Sequence, residues 1–325
     1  MANKYVTATG AGLKDGTSWA NAFNWSDAVT DFASASAGDT YYIKGSHTHT
    51  SGLTSIATDG SMTGGFISLI GVKSGTTNEP PIAADWAYTT DRPDISISGS
   101  NRIEFDNYWQ FRNLIVTANM TLSALRMDDY CFIENCKITQ AGLGYGLTIA
   151  GTNSLAINNE ISHSGGARAL NIVYPATVMH NYIHDSSIGI RIDTVGAGSR
   201  IIGNIIETCD YCIDLYTYGS CIIEGNTIYG GSTAGIYGTT SGLNFIRNNS
   251  ISGCGTGINF TSGNAQALVD YNNYYNNTTD VSGVSKGANA TAVNPQFTDA
   301  ANGDFSLASD SALIGAGLGI TLGVG

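Results

Sequence analysis

The feature that most constrains this chain is an interval. Asn followed two residues later by Ile recurs at Asn113/Ile115, Asn159/Ile161, Asn181/Ile183, Asn204/Ile206, Asn226/Ile228 and Asn249/Ile251. Two degenerate copies, Cys136/Ile138 and Asn272/Tyr274, complete the series. The first positions are 113, 136, 159, 181, 204, 226, 249 and 272, always 22 or 23 residues apart. A repeat of this size cannot bury its own apolar side, so it must stack on copies of itself.

Each unit carries two further landmarks. Gly146-Leu147, Ala169-Leu170, Gly189-Ile190, Cys212-Ile213, Gly235-Ile236 and Gly257-Ile258 follow the Asn position by 9 to 11 residues, counted to the Leu or Ile. That variable offset predicts a turn of variable length between two strands. Apolar pairs such as Phe132-Ile133, Val178-Met179 and Ile222-Ile223 precede the Asn position. The unit therefore reads as three short strands joined by turns, an all-β solenoid with one strand spacing, about 4.8 Å, between coils. Eight coils span seven intervals, roughly 34 Å. The Ile column from Ile115 to Ile251 should form an aliphatic spine, and the Asn column an inward ladder of amide hydrogen bonds. Cys136 breaks that ladder with a weak hydrogen-bonding group, predicting weaker local order. Leucine-rich repeats share the length but need spaced Leu and a helical segment in each unit.

The ends read as covers for exposed strand edges. Ser26–Phe32 predicts a short helix with Ser26 as N-cap. Strand-like runs start at Tyr41-Tyr42-Ile43, Phe66–Ile70 and Ile95-Ser96-Ile97. After Tyr275 the pattern gives way to a polar stretch and a closing segment. The expected division is 1–45 as a cap with a short helix and first strand, 46–285 as the solenoid, and 286–325 as the closing segment.

Low charge content, 12%, with 42% hydrophobic residues excludes a disordered chain. A net charge of −12 disfavours nucleic acid, and no apolar run reaches the roughly 18 residues of a membrane span. Met1-Ala2-Asn3-Lys4-Tyr5 lacks an apolar signal core. The expected location is a virion or the extracellular space, with no signal peptide in this chain. The six cysteines read as small packing residues. Cys209-Asp210-Tyr211-Cys212 has redox or zinc spacing but lacks a partner pair. No cofactor or metal is expected.

Several segments carry a resemblance. Tyr5-Val6-Thr7, Asp15–Ala20 and Ala37-Gly38-Asp39-Thr40 resemble the capping start of the right-handed parallel β-helices of the pectate-lyase-like superfamily, bacterial and phage type. Asn294-Pro295-Gln296-Phe297, Gly303–Leu307 and Ser311–Gly317 resemble their usual end, with Ala312 where Pro is common. The resemblance implies a single-stranded right-handed parallel β-helix with a short helical cap. It does not fix an activity. Polygalacturonase-like members carry an Asn-Thr-Asp, an Asp pair, a Gly-His-Gly and an Arg-Ile-Lys. This chain keeps only Asp128-Asp129 and Arg191-Ile192-Asp193. The acidic calcium cluster and basic residue of pectate lyases have no clear counterpart. Phage β-helices often trimerise, so a homotrimer is carried as an expectation, although no coiled-coil heptads accompany it.

Strand alternation gives the outward residues. If the spine points in, Lys137, Glu160 and Tyr182 form one outward column and His184, Glu207 and Tyr229 another. His163 and Asp185 lie at the following turn. These eight residues are expected to form one surface patch. Glu160, His184 and Glu207 are its candidate catalytic groups; Lys137, His163, Tyr182, Asp185 and Tyr229 are its candidate ligand contacts. Two carboxylates suit a glycosidase. Alternatively His184 abstracts a proton beside a uronate, with Tyr182 as acid and Lys137 steadying the charge. The same residues also suit a solvated strand face held by cross-strand charges. A second face carries Asn171, Arg191, Asp193, Asp214, Tyr216, Tyr237 and Asn259, with Arg191 and Asp214 read as an ion pair and Tyr216 and Tyr237 as sugar-stacking rings.

The leading expectation is a glycan-binding or structural β-helix, a phage tail spike, fibre or surface decoration, whose partners are a polysaccharide or surface glycan and other virion proteins. The alternative is a polysaccharide lyase or glycoside hydrolase acting around His184.

Overall fold

The structure, a computed structural model, describes residues 1–50, 54–56, 58–99, 102–193, 195–216, 220–239, 242–261 and 266–318. The closing segment's last residues, 319–325, lie outside these. The repeat folds as its period dictates, into a right-handed parallel β-helix. In the coil after residue 131, strands Phe132–Glu134, Lys137–Gln140 and Leu147–Ile149 wind once around the axis. Each pairs in parallel with its counterpart one coil on, Ser154–Ile157, Glu160–His163 and Arg168–Ile172. Strands of the first kind form an 11-stranded sheet, and those of the other two an 18-stranded sheet.

Like stacks on like, as one hydrogen-bond step per coil requires. Ile138, Ile161, Ile183, Ile206, Ile228 and Ile251 are in register and fully buried, with Tyr274 below them. A second spine runs Leu125, Leu147, Leu170, Ile190, Ile213, Ile236, Ile258. All six cysteines are buried free thiols.

The Asn ladder runs from Asn159 to Asn272. From Asn181 onward each Oδ1 accepts from the N–H and Nδ2 of the ladder residue one coil earlier, as Asn204 does from Asn181 at 2.9 and 3.0 Å. Each ladder residue from Asn159 onward follows a residue in the left-handed region, among them Asn158, His180, Gly203, Gly225, Asn248 and Tyr271. That turn conformation explains the Asn and Gly found there. It also corrects the first repeat. Asn113 has φ 58° and belongs to this turn column, while Leu114 stands on the ladder. Val116, not Ile115, is therefore the spine residue, because Ile138 pairs with Val116. Cys136 keeps its own amide bonded to Asn159 Oδ1 at 2.9 Å. The break falls one coil earlier, where a thiol offers the Leu114 N–H no oxygen.

The ends differ in detail from the sequence reading. The helix is Trp25–Phe32, and Asn24 caps it by accepting from the Asp27 N–H. Ser26 lies inside it. Strand Asn3–Val6 already pairs with Thr40–Ile43, so the stack begins inside residues 1–45. The sheet also continues past Tyr275 with Thr279–Ser282. The closing segment forms an antiparallel hairpin, Phe297–Asp299 with Asp304–Leu307.

Two coils differ from the rest. In Tyr182–Ile192 and Ile205–Leu215 the turn between the second and third strands vanishes into a continuous strand. Asp185 and Thr208 make the corner with φ of 54° and 52°. At these two coils the outward faces of the two strands run into each other.

Candidate functional site: two outward polar faces

On the first face, register brings Lys137, Glu160 and Tyr182 into one column and His184 and Glu207 into the next. Lys137 Nζ lies 2.6 Å from Glu160 Oε1. His184 Nε2 lies 3.6 Å from the same oxygen, and its Nδ1 lies 2.8 Å from Asp185 Oδ2. The Tyr182 ring stacks on the His184 ring at 4.3 Å. Tyr182 OH donates to Glu207 Oε1 at 2.6 Å, and Thr208 Oγ1 donates to Glu207 Oε2 at 2.5 Å.

The charges tune one another. His184 and Lys137 hold the Glu160 carboxyl down at about 2, against the opposing pull of partial burial. Burial alone would lower His184, but Glu160 and Asp185 outweigh it and raise the imidazole above its ordinary value. Burial, then the bond to Glu207, pushes the Tyr182 phenol up. Lys137 and His184 thus face the carboxylates of Glu160 and Asp185, while Glu207 is held by hydroxyls alone.

Two members of the expected patch lie elsewhere. His163 is fully buried. Its Nε2 sits 2.5 Å from Gly144 O, and its Nδ1 accepts from the Gly165 N–H at 3.1 Å, the pattern of a neutral ring tying down a turn. The chain turns inward after Ser162, whereas the left-handed corner keeps Asp185 outside. Tyr229 is covered by the closing hairpin, with Phe305 and Phe297 ring centroids at 5.3 and 6.1 Å. The hairpin also reaches Tyr182: a methyl group on Gly303 would sit 2.9 Å from its hydroxyl. The open part of this face is therefore Lys137, Glu160, His184 and Asp185.

The second face is longer. Arg126, Thr148, Asn171, Arg191, Asp214, Tyr237 and Asn259 form one outward column, in register. Arg191 lies 2.6 Å from Asp214 and 3.2 Å from Asp193, and its guanidinium covers the Tyr216 ring at 4.0 Å. Arg168 reaches Asn171 at 2.6 Å and Asp193 at 3.5 Å, and covers the Tyr145 ring at 4.7 Å. Tyr216 stays half exposed, and Tyr211 and Tyr237 pack together at 4.9 Å. Burial raises the Asp214 carboxyl, against the pull of Arg191. Sequence reasoning missed Arg168 and Tyr145; both stand two residues before the buried Leu of the second landmark, where strand alternation alone would point them inward. Arg126 was also missed. It pairs with Glu104 and, at 3.2 Å, with Asp128. Among the described residues no group of three or more His, Cys, Asp or Glu side chains is placed to hold a metal ion.

The parallel stacking of three-stranded coils defines the class: a right-handed parallel β-helix, similar in fold to pectate lyases. Residues 189–317 match the family described as "Right handed beta helix region". No curated protein sequence matches. Among solved structures, the chain is similar to pectate lyase Pel9A, at 15% identity and a TM-score of 0.52 over 99% of this chain and 93% of that one. It is also similar to a mannuronic-acid-specific family 6 polysaccharide lyase from human gut microbiota, at 12% identity, TM-score 0.55, over 88% and 78%. A third is XylC in complex with xylose, at 12% identity, TM-score 0.51, over 85% and 75%. At these identities the likeness is one of fold.

Proposed function

We propose that this chain is a glycan-binding β-helix whose ligand is an uncharged or weakly charged polysaccharide, held along the second face. The observation that carries this reading is mutual neutralisation. Lys137, Arg126, Arg168 and Arg191 each already meet a carboxylate, and Arg126 and Arg191 meet two. The net charge is −12. A polyuronate would have to displace those carboxylates and approach a repelling field. A neutral sugar needs flat rings and fixed hydrogen-bonding groups, which Tyr216, Tyr237, Asn259 and the arginine–carboxylate pairs provide.

The first face favours binding over turnover. A carboxyl held at about 2 cannot serve as a general acid near neutrality. His184 is raised above its ordinary value by Glu160 and Asp185, which disfavours the neutral form a general base needs. The likeness in fold to a pectate lyase, a mannuronic-acid-specific lyase and XylC bound to xylose supports a glycan ligand. We further read the chain as a virion component, a tail spike, fibre or surface decoration, an assignment tested by mass spectrometry of purified particles.

The test of function is a panel of neutral and acidic polysaccharides, assayed for binding and for new reducing ends or unsaturated products. Binding to neutral polymers without products is expected, and Tyr216→Ala should weaken it at least tenfold. Release of unsaturated products, abolished by His184→Ala, would replace this reading with a lyase.

A further inference from the structure

The third outward face, that of the 11-stranded sheet, breaks the rule the other two obey. A solvent-facing strand row is normally polar. Here, beside the buried Ile133, Ala156, Val178, Ile201, Ile223 and Ile246, apolar residues fill seven of the twelve outward positions. One line carries Phe132, Leu155, Ile222, Phe245 and Leu268, interrupted by Thr177 and Arg200. Leu268 is 59% exposed. The parallel line carries Ile157, Met179 and Ile202 at its centre, with charges at both ends. Those ends are Arg112 and Glu134 on one side, Glu224, Arg247 and Asp270 on the other.

We propose that this face docks a second copy of the chain, with the two solenoids antiparallel about a dyad along the strand direction. The dyad falls between the Met179 and Ile202 coils. This register sets opposite charges at the two ends against each other, although Arg112 and Glu134 also pair within the chain at 3.0 Å, and it places Arg200 opposite the partner's Thr177 and Gln110 opposite the partner's Leu268. Arg112 then meets the partner's Asp270, and Glu134 meets the partner's Arg247. Phe132 meets the partner's Phe245, Leu155 meets the partner's Ile222, and Met179 meets the partner's Ile202. Ile157 opposes the partner's Glu224, a charge that Arg247 of its own chain holds at 3.0 Å. With the coils of two face-to-face copies level instead, Glu134 and Arg247 would press against the partner's Phe132 and Phe245. An isologous contact repeats every pair twice, so each complementary pair counts double.

The area is sufficient for a modest dimer. Eight coils at one strand spacing and a strip about 15 Å wide give roughly 500 Å² a side. The total, about 1,000 Å², sits at the threshold for a specific interface. Association should therefore be concentration-dependent.

Sedimentation velocity from low to high micromolar concentration should show the 33.9 kDa chain passing to a species of twice that mass. Phe245→Lys and Leu155→Glu should each shift the midpoint at least tenfold upward, with unchanged circular dichroism, since both side chains point out. Geometry is read by cross-linking with a short bis-maleimide. The double variant Phe132→Cys, Phe245→Cys should give a covalent dimer, because these positions lie five coils apart within one chain. Phe132→Cys alone should give none. The native thiols are buried and do not compete. A monomer at every concentration would overturn the proposal. So would cross-linking of the single variant, which requires level coils.

Discussion

Asn204→Ala removes one rung of the ladder on which coil stacking rests, and its cost can be worked out atom by atom. Asn204 Oδ1 accepts from the Asn181 N–H at 2.9 Å and from Asn181 Nδ2 at 3.0 Å. Its Nδ2 donates to Val178 O and to Asn226 Oδ1, both at 3.0 Å. The losses are unequal. Asn181 Nδ2 keeps Ala156 O and Met179 O, and Asn226 Oδ1 keeps the Asn204 N–H. The Asn181 N–H keeps nothing, and Asn181 is buried. Orphaning one buried amide costs about 1–3 kcal/mol, and losing the bond to Val178 O adds about 1. The expected destabilisation is about 3 kcal/mol. It should appear as a lower urea midpoint and as lost hydrogen-exchange protection at the Asn181 amide, ahead of amides in distant coils. A cost below about 1 kcal/mol with Asn181 protection intact would refute the claim that this column holds the coils together.

The reverse experiment and the pH response follow from the same contacts. Cys136→Asn supplies the missing oxygen to the Leu114 N–H and should stabilise the protein by about 1 kcal/mol in urea unfolding; a loss of stability would contradict the ladder assignment. His184 is raised, so its pairing stabilises the fold fully below its unfolded pKa, about 6.5, and this contribution disappears as pH rises through the folded value. Glu160 is lowered, so its contribution is present above 4.5 and is lost as pH falls toward about 2. An NMR titration should place the His184 midpoint above 6.5, and Glu160→Gln should lower it; a midpoint below 6.5 would sink the paired-cluster description. His163→Ala should cost stability, about 2 kcal/mol, with glycan binding of the folded protein unchanged, since its ring ties a turn rather than facing solvent.

Much of this architecture was legible in the sequence because a solenoid stacks like residues on like, and the stacking writes itself as a period. The spine from Ile138 to Ile251 and the ladder from Asn159 to Asn272 are direct images of that period. The errors arose where the local turn, not the period, decides. Asn113 resembles a ladder residue but takes the left-handed turn position. His163 and Asp185 share a sequence offset but not a corner conformation, so one is buried and the other exposed. Tyr229 was misjudged for another reason: it is covered by Phe297 and Phe305 from a hairpin about 70 residues away, and no repeat encodes that contact. Pairs such as Lys137–Glu160 and Arg191–Asp214 follow from register alone. Whether such pairs leave room for a ligand depends on distances that only three dimensions supply.

The central claim is that these faces have spent their charges on each other and recognise sugar without them. Titration calorimetry of a neutral oligosaccharide that binds, repeated at low and high salt, tests it most directly. An affinity that hardly changes with ionic strength is the predicted result. Binding confined to polyuronates and falling steeply with salt would contradict the account.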